Sequence, residues 1–127
     1  MNDGAATRGR CVLIVEDEMC LAMMIEDILA RAGYVVLKAA RLPAALALAG
    51  EECIDAAILD INLAGKLVFP VADALRRSGV PMLFTSGYGQ DGLPEDYVDC
   101  PMLQKPYHVE HLLVVLGGLL DRPMLQP

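Results

Sequence analysis

The sequence lacks the features that would send a chain to a membrane, to nucleic acid or to a disulfide framework. No apolar run is long enough to cross a bilayer. Residues 1–10 are small and polar, carry no apolar signal core and read as a frayed tail. Basic residues are few: ten Lys and Arg face seventeen Asp and Glu, for a net charge of −7. Binding to a phosphate backbone needs a basic surface, so this balance argues against nucleic acid as a direct partner. Cys11, Cys20, Cys53 and Cys100 form no CxxC pair. They read as small buried hydrophobes in a reducing cytosol, which makes the expected location cytoplasmic. The two histidines, His108 and His111, have no third nitrogen or sulfur ligand at a useful spacing. They are read as exposed helix residues and not as metal ligands.

What remains is the composition of a globular domain. Of 127 residues, 55% are hydrophobic and 21% charged, enough for one core. The expected domain runs from about residue 11 to about 120, with tails at 1–9 and 121–127.

The clearest stretch is Asp55-Ala56-Ala57-Ile58-Leu59-Asp60. It is too short for a helix and does not alternate, so it reads as a strand buried on both faces. Such a strand tolerates an acid only at its C-terminal end, where it opens into the crevice that α/β sheets use for ligands. Cys11–Val15 is a second run of this kind, followed at once by Glu16-Asp17-Glu18.

From Glu18 to Ala32 the period becomes helical, with Leu21, Ile25, Ile28 and Leu29 on one face and Gly33 as the stop. Tyr34–Ala39 is strand-like, and Leu42–Ala49 is a short Ala-rich helix with Pro43 in its first turn. After Asp60, residues 62–66 read as a loop and Val71–Ser78 as a brief helix. Pro81–Thr85 and Pro101–Gln104 read as the fourth and fifth strands. Residues 86–94 between them are Gly-rich and polar, so the fourth helix is short or mobile. Tyr107–Leu120 is a last helix, weakened by Gly117-Gly118. Strand and helix alternate five times, which predicts a flavodoxin-like, doubly wound (βα)5 fold with sheet order 2-1-3-4-5.

In that order the first and third strands are neighbours at the switch point, so Glu16, Asp17 and Asp60 share one pocket. Three clustered carboxylates repel, and the natural counter-charge is a hard divalent cation, Mg²⁺ or Mn²⁺. Lys105 ends the fifth strand and faces the same pocket, and a hydroxyl ends the fourth. Acids, a lysine, a hydroxyl and a cation describe a site for a phosphoryl group. Thr85 and Ser86 are adjacent, and strand alternation lets only one of them point at the pocket.

Glu16-Asp17, Asp60, Thr85-Ser86-Gly87 and Lys105-Pro106, in this order and each at a strand end, resemble the receiver domain of bacterial two-component response regulators. The resemblance covers about residues 11–120. It implies that Asp60 accepts a phosphoryl group from the phosphohistidine of a sensor histidine kinase or a histidine phosphotransfer protein. It implies that Asp17 and Asp60 hold Mg²⁺ with the backbone carbonyl of Asn62, Glu16 acting through water. Lys105 would pair with the phosphoryl oxygens, with Asn62 and Gly87 beside them, and Lys105-Pro106 would be a cis bond that aims the lysine inward. In receivers whose fourth strand begins with Pro, the switch hydroxyl usually lies five residues on, which favours Ser86, with Thr85 as the alternative. Phe84-Thr85-Ser86-Gly87-Tyr88-Gly89 further resembles a subgroup often found as stand-alone domains.

Three features depart from the pattern: Ala64-Gly65 in the loop after Asp60, the reduced fourth helix, and Met102 where receivers often carry an aromatic switch, for which Tyr88 is the candidate substitute. Met19, Met23 and Met24 read as core or partial-surface filler. Met19 and Met23, one turn apart beside the acids, also offer a docking place for a kinase helix. Val109, Leu112, Leu113, Leu116 and Leu120 mostly face the sheet, and any left exposed would offer a homodimer face.

The expectation is a switch and not an enzyme. One alternative is a pseudo-receiver that binds partners without phosphate. Another is an aspartyl-nucleophile phosphatase of the haloacid-dehalogenase type, which usually wants a second Asp where this chain has Asn62.

Overall fold

Buried parallel strands and amphipathic helices alternate along the chain. The computed structural model describes residues 9–87 and 93–121. Strands β1 (Cys11–Val15), β2 (Val35–Ala39), β3 (Ala56–Asp60), β6 (Met82–Ser86) and β7 (Met102–Gln104) form one parallel sheet in the order β2-β1-β3-β6-β7. This is the expected 2-1-3-4-5 arrangement. Helices α1 (Met19–Arg31) and α4 (Val109–Leu120) cover one face, and α2 (Leu42–Glu51) and α3 (Phe69–Arg77) cover the other.

The period of two along each strand divides the core cleanly. Val12, Ile14, Ala56, Ile58, Leu83 and Leu103 pack with Ile25 and Leu29 of α1 and Leu112 and Leu116 of α4. Leu13, Val15, Ala57, Leu59, Met82 and Phe84 pack with Ala45 of α2 and Val71, Ala72 and Leu75 of α3. Gly117 and Gly118 do not stop α4 early, because Leu116 and Leu119 on either side of them are buried against the sheet. Val114 is the apolar residue that α4 leaves to solvent, at 71% exposure.

Several expectations are corrected. Residues 62–66 are not a plain loop: β4 (Asn62–Leu63) and β5 (Lys66–Leu67) pair antiparallel. Ala64 and Gly65 between them have φ of 51° and 93°, the two positive values that a tight type I′ hairpin turn requires. The usual Asn-Gly signal is absent, which is why the sequence conceals the turn. Strand β6 extends one residue further than predicted, because the Ser86 carbonyl accepts the Lys105 N–H at 2.8 Å.

Among the described residues the fourth crossover carries a 3-10 turn, Glu95–Tyr97, in place of an α-helix. Tyr88 lies outside the described residues. The cysteines form no disulfide and are not buried: Cys20 and Cys53 are exposed, Cys11 and Cys100 half-buried. Met19, Met23 and Met24 are not core filler either, at 63%, 55% and 44% exposure, because Ala22, Ile25 and Leu29 form the inward face of α1.

The left-handed conformation of Ala64 places its Cβ against the following carbonyl, at about 1–2 kcal/mol. Ala64→Gly should therefore stabilise the protein by up to about 1 kcal/mol in chemical denaturation, the gain being reduced by the extra freedom of the unfolded chain.

Candidate functional site

Register brings the site together. Val15 pairs with Leu59, Asp60 with Thr85, and Thr85 with Leu103. The ladder runs one bond past the strand ends, through Glu16 N–H to the Ala39 carbonyl and Lys105 N–H to the Ser86 carbonyl. Glu16 and Asp60 are thus brought to the C-terminal edge of the sheet, and both are only 4% exposed. Glu16, Asp17 and Asp60 each offer an oxygen within 4.8 Å of the others.

Lys105 crosses to this cluster from the end of β7. Its Nζ lies 3.0 Å from Glu16 Oε1, 3.3 Å from Asp60 Oδ2 and 3.1 Å from Glu18 Oε1. Glu18 is a partner that the sequence reading left out. Three charges N-terminal to α1 gave no sign of which would turn inward, and Glu18 remains mostly exposed. The Glu18 N–H donates to Glu16 Oε2 at 3.0 Å and fixes that carboxylate. Asp17 Oδ2 accepts the Ala64 N–H at 3.1 Å, so the hairpin after Asp60 holds the third acid in place. The Lys105-Pro106 bond is cis, as the resemblance implied.

Asn62 opens the hairpin, and its Oδ1 accepts the Gly65 N–H at 2.7 Å. Asn62 and Gly87 both line the cavity of about 780 Å³ above Asp60, with Asp17, Glu18, Lys105 and Tyr107. Ser86 and Thr85 are both buried. Thr85 shares the face of Leu83 and stands in register with Asp60, and its sealed hydroxyl has no hydrogen-bond partner. Ser86 is one residue nearer the crevice, at the strand end beside Lys105. His108 and His111 are exposed, as expected.

Tyr107 is the other residue that the sequence reading passed over. The helical pattern makes it the first residue of the last helix, yet it precedes α4 and lines the cavity. Its hydroxyl is buried without a hydrogen-bond partner. Such a group typically costs about 1–3 kcal/mol.

The electrostatics show a shortage of positive charge. Burial, then the neighbouring Glu16 carboxylate, pushes the Asp60 carboxyl up to about 7, against the opposing pull of Lys105. Burial alone would lower the Lys105 ammonium. Hydrogen bonds to Glu16 and Glu18, and the charges of Asp60 and Glu16, outweigh it and raise the lysine above its ordinary value. Burial, then the Glu16 charge, pushes the Tyr107 phenol up to about 12. An all-oxygen cluster in which burial and a neighbouring carboxylate hold the Asp60 carboxyl up to about 7 is short of counter-charge, which fits a hard divalent cation.

The chain matches the response regulator receiver domain model over residues 12–116, and it belongs to that family. Receivers are the signalling switches of two-component systems. The fold is similar to that of SdrG from Sphingomonas melonis Fr1, at 38% identity over 91% of this chain and 98% of that one, with a TM-score of 0.77. It is also similar to the chemotaxis protein CheY4 of Vibrio cholerae, at 29% identity over 87% of this chain and 98% of that one, with a TM-score of 0.73. A Bacillus subtilis protein, the uncharacterized transcriptional regulatory protein YrkP, is 32% identical over 106 residues, 76% of this chain. The chain spans 46% of that relative's length. No helix among the described residues is long and apolar enough to cross a membrane.

The Asp60 shift has a definite sign. The unfolded carboxyl gives up its proton near 3.8, and the folded one keeps it to about 7. Between those values the native state binds more protons, so the Asp60 contribution to stability falls as pH rises. In metal-free buffer Asp60→Asn should melt above the wild type at pH 8, with the difference closing as pH falls to 4. Thermal melts across that range, with and without Mg²⁺, check this, and Mg²⁺ should remove most of the wild-type deficit.

Proposed function

We propose that this chain is a phosphoacceptor switch in which Asp60 takes a phosphoryl group from a phosphohistidine of a sensor histidine kinase or histidine phosphotransfer protein. The observation that carries the reading is the contact of Lys105 Nζ with buried Asp60, 3.3 Å away, inside a triad of carboxylates at the sheet's C-terminal edge.

An Asp60 carboxylate oxygen attacks phosphorus, the P–N bond to the donor imidazole breaks, and the released nitrogen takes up a proton. Asp17, Asp60 and the Asn62 carbonyl would hold Mg²⁺, with Glu16 acting through water; when bound, the cation neutralises phosphoryl charge and favours ionised Asp60. Lys105 opposes the protonation of the acceptor and then pairs with the phosphoryl oxygens. The protein's part is charge neutralisation and in-line positioning. The cavity over Asp60, about 780 Å³, has the volume to hold an imidazole.

Ser86 is the switch hydroxyl in this reading. It ends β6 next to Lys105, whereas Thr85 is sealed one layer down. The phosphoryl group adds a charge of roughly −1.5 to −2, by analogy with other phosphorylated side chains. A Ser86 hydrogen bond to it biases the β6 end toward a second arrangement. The exposed Met19 and Met23 beside the acids give a partner helix an apolar place to dock. The phosphatase alternative is not favoured, since Asn62 has no proton to give as a general acid and its side-chain oxygen is bound to Gly65.

Intact mass after incubation with acetyl phosphate tests the chemistry. One phosphoryl adduct is expected with Mg²⁺, and none without it or in Asp60→Ala. An adduct that persists in Asp60→Ala would refute the assignment of the acceptor. Absence of both an adduct and Mg²⁺ binding would point to the pseudo-receiver. In amide spectra of the phosphorylated protein, Ser86→Ala should keep the adduct but lose most of the shifts along β6. Thr85→Val should retain them.

A further inference from the structure

Lys105 serves three carboxylates at once, and they differ in what replaces it. Glu18 is 64% exposed at its side chain, so water takes over there. Asp60, once phosphorylated, carries its charge on the phosphoryl oxygens. Glu16 has a side chain only 3% exposed and contacts Lys105 through both oxygens. When Lys105 turns to a phosphoryl group, Glu16 is the acceptor left short, with the Glu18 N–H as its remaining donor among the described residues.

Two buried hydroxyls among the described residues have no partner, those of Thr85 and Tyr107. Thr85 is separated from β1 by β3, since it pairs with Asp60 and Leu103. Tyr107 follows Lys105 by two residues and lines the cavity from which Lys105 reaches both oxygens of Glu16, and Glu16 is the charge that acts on its phenol most strongly. A phenol donates well to a carboxylate.

We propose that Tyr107 is a positioning residue whose hydroxyl takes the place of Lys105 on Glu16 when Lys105 engages phosphorylated Asp60. The inference rests on the phosphoacceptor reading above. In the resting protein the hydroxyl is idle, and in the phosphorylated one it bonds, so it favours the second state alone. Packing of the ring against the α1 and α4 core would be kept by Phe, and only the donor would be lost.

Beryllofluoride with Mg²⁺ is the probe, as a non-covalent stand-in for the phosphoryl group on Asp60. Tyr107→Phe should melt at or above the wild-type temperature without ligand and bind the probe about tenfold more weakly, the loss of one hydrogen bond to a charged acceptor. In a Glu16→Gln background the same change should cost much less, because the charged acceptor is gone. Equal probe affinity in wild type and Tyr107→Phe would overturn the proposal, and so would a lower melting temperature of the unliganded variant, which would mean the hydroxyl is already bonded at rest. If the wild type itself fails to bind the probe, with Asp60→Asn as control, the phosphoacceptor reading falls and this inference with it.

Discussion

The site depends on the Lys105 ammonium, held against Glu16, Glu18 and Asp60 at about 3 Å. Two of these acids are buried next to each other, where each loses hydration and repels the other. One lysine does not balance them, and Asp17 adds a further charge to the same cluster. The shortfall falls on Asp60, whose carboxyl burial and Glu16 push up to about 7. A carboxylate held at that balance responds sharply to any added cation. The same cluster is therefore what makes the charge state of Asp60 dependent on the groups around it.

The cluster is a product of register and not of local sequence. Glu16 and Lys105 stand 89 residues apart. They meet because burial on both faces requires each strand to be a short apolar run, and polar groups can follow only where the run ends. With β1, β3, β6 and β7 adjacent and parallel, those ends fall at one level. The hairpin after Asp60 adds a local constraint, since the Ala64 N–H fixes Asp17 and the Gly65 N–H fixes Asn62.

This logic explains what could be read in advance. The sheet order, the helix faces and the meeting of Glu16, Asp17, Asp60 and Lys105 follow from apolar runs that stop at charged residues, so they were legible. The β4–β5 hairpin was not, because Ala64 carries a positive φ that nothing in the sequence advertises. Glu18 was not, because three consecutive acids look alike until a lysine from another strand selects among them. Tyr107 was not, because an aromatic after Lys-Pro reads equally as a helix start and as a cavity wall. The exposure of Cys20, Met19 and Met23 was missed for a different reason. The inward stripe of α1 is satisfied by Ala22, Ile25 and Leu29, and the remaining apolar residues have no core to enter.

The departure at Met102 has a physical counterpart on the neighbouring strand. Met102 is 38% exposed and pairs with Phe84, which is fully buried. The Phe84 ring lies 5.7 Å from Phe69 at the start of α3 and 5.5 Å from Tyr97 in the 3-10 turn, and those two rings stack at 5.7 Å. Tyr97 donates its hydroxyl to Asp73, and the Arg76 guanidinium lies 4.2 Å over its ring. The 3-10 turn of the fourth crossover is thus anchored to α3 by aromatic and charged contacts. Ser86 stands two residues after Phe84 on the same strand, with its carbonyl bonded to Lys105 N–H. A close-packed interior transmits displacement instead of absorbing it. The end of β6 is consequently tied to the acid cluster through the ladder and to α3 and the 3-10 turn through Phe84.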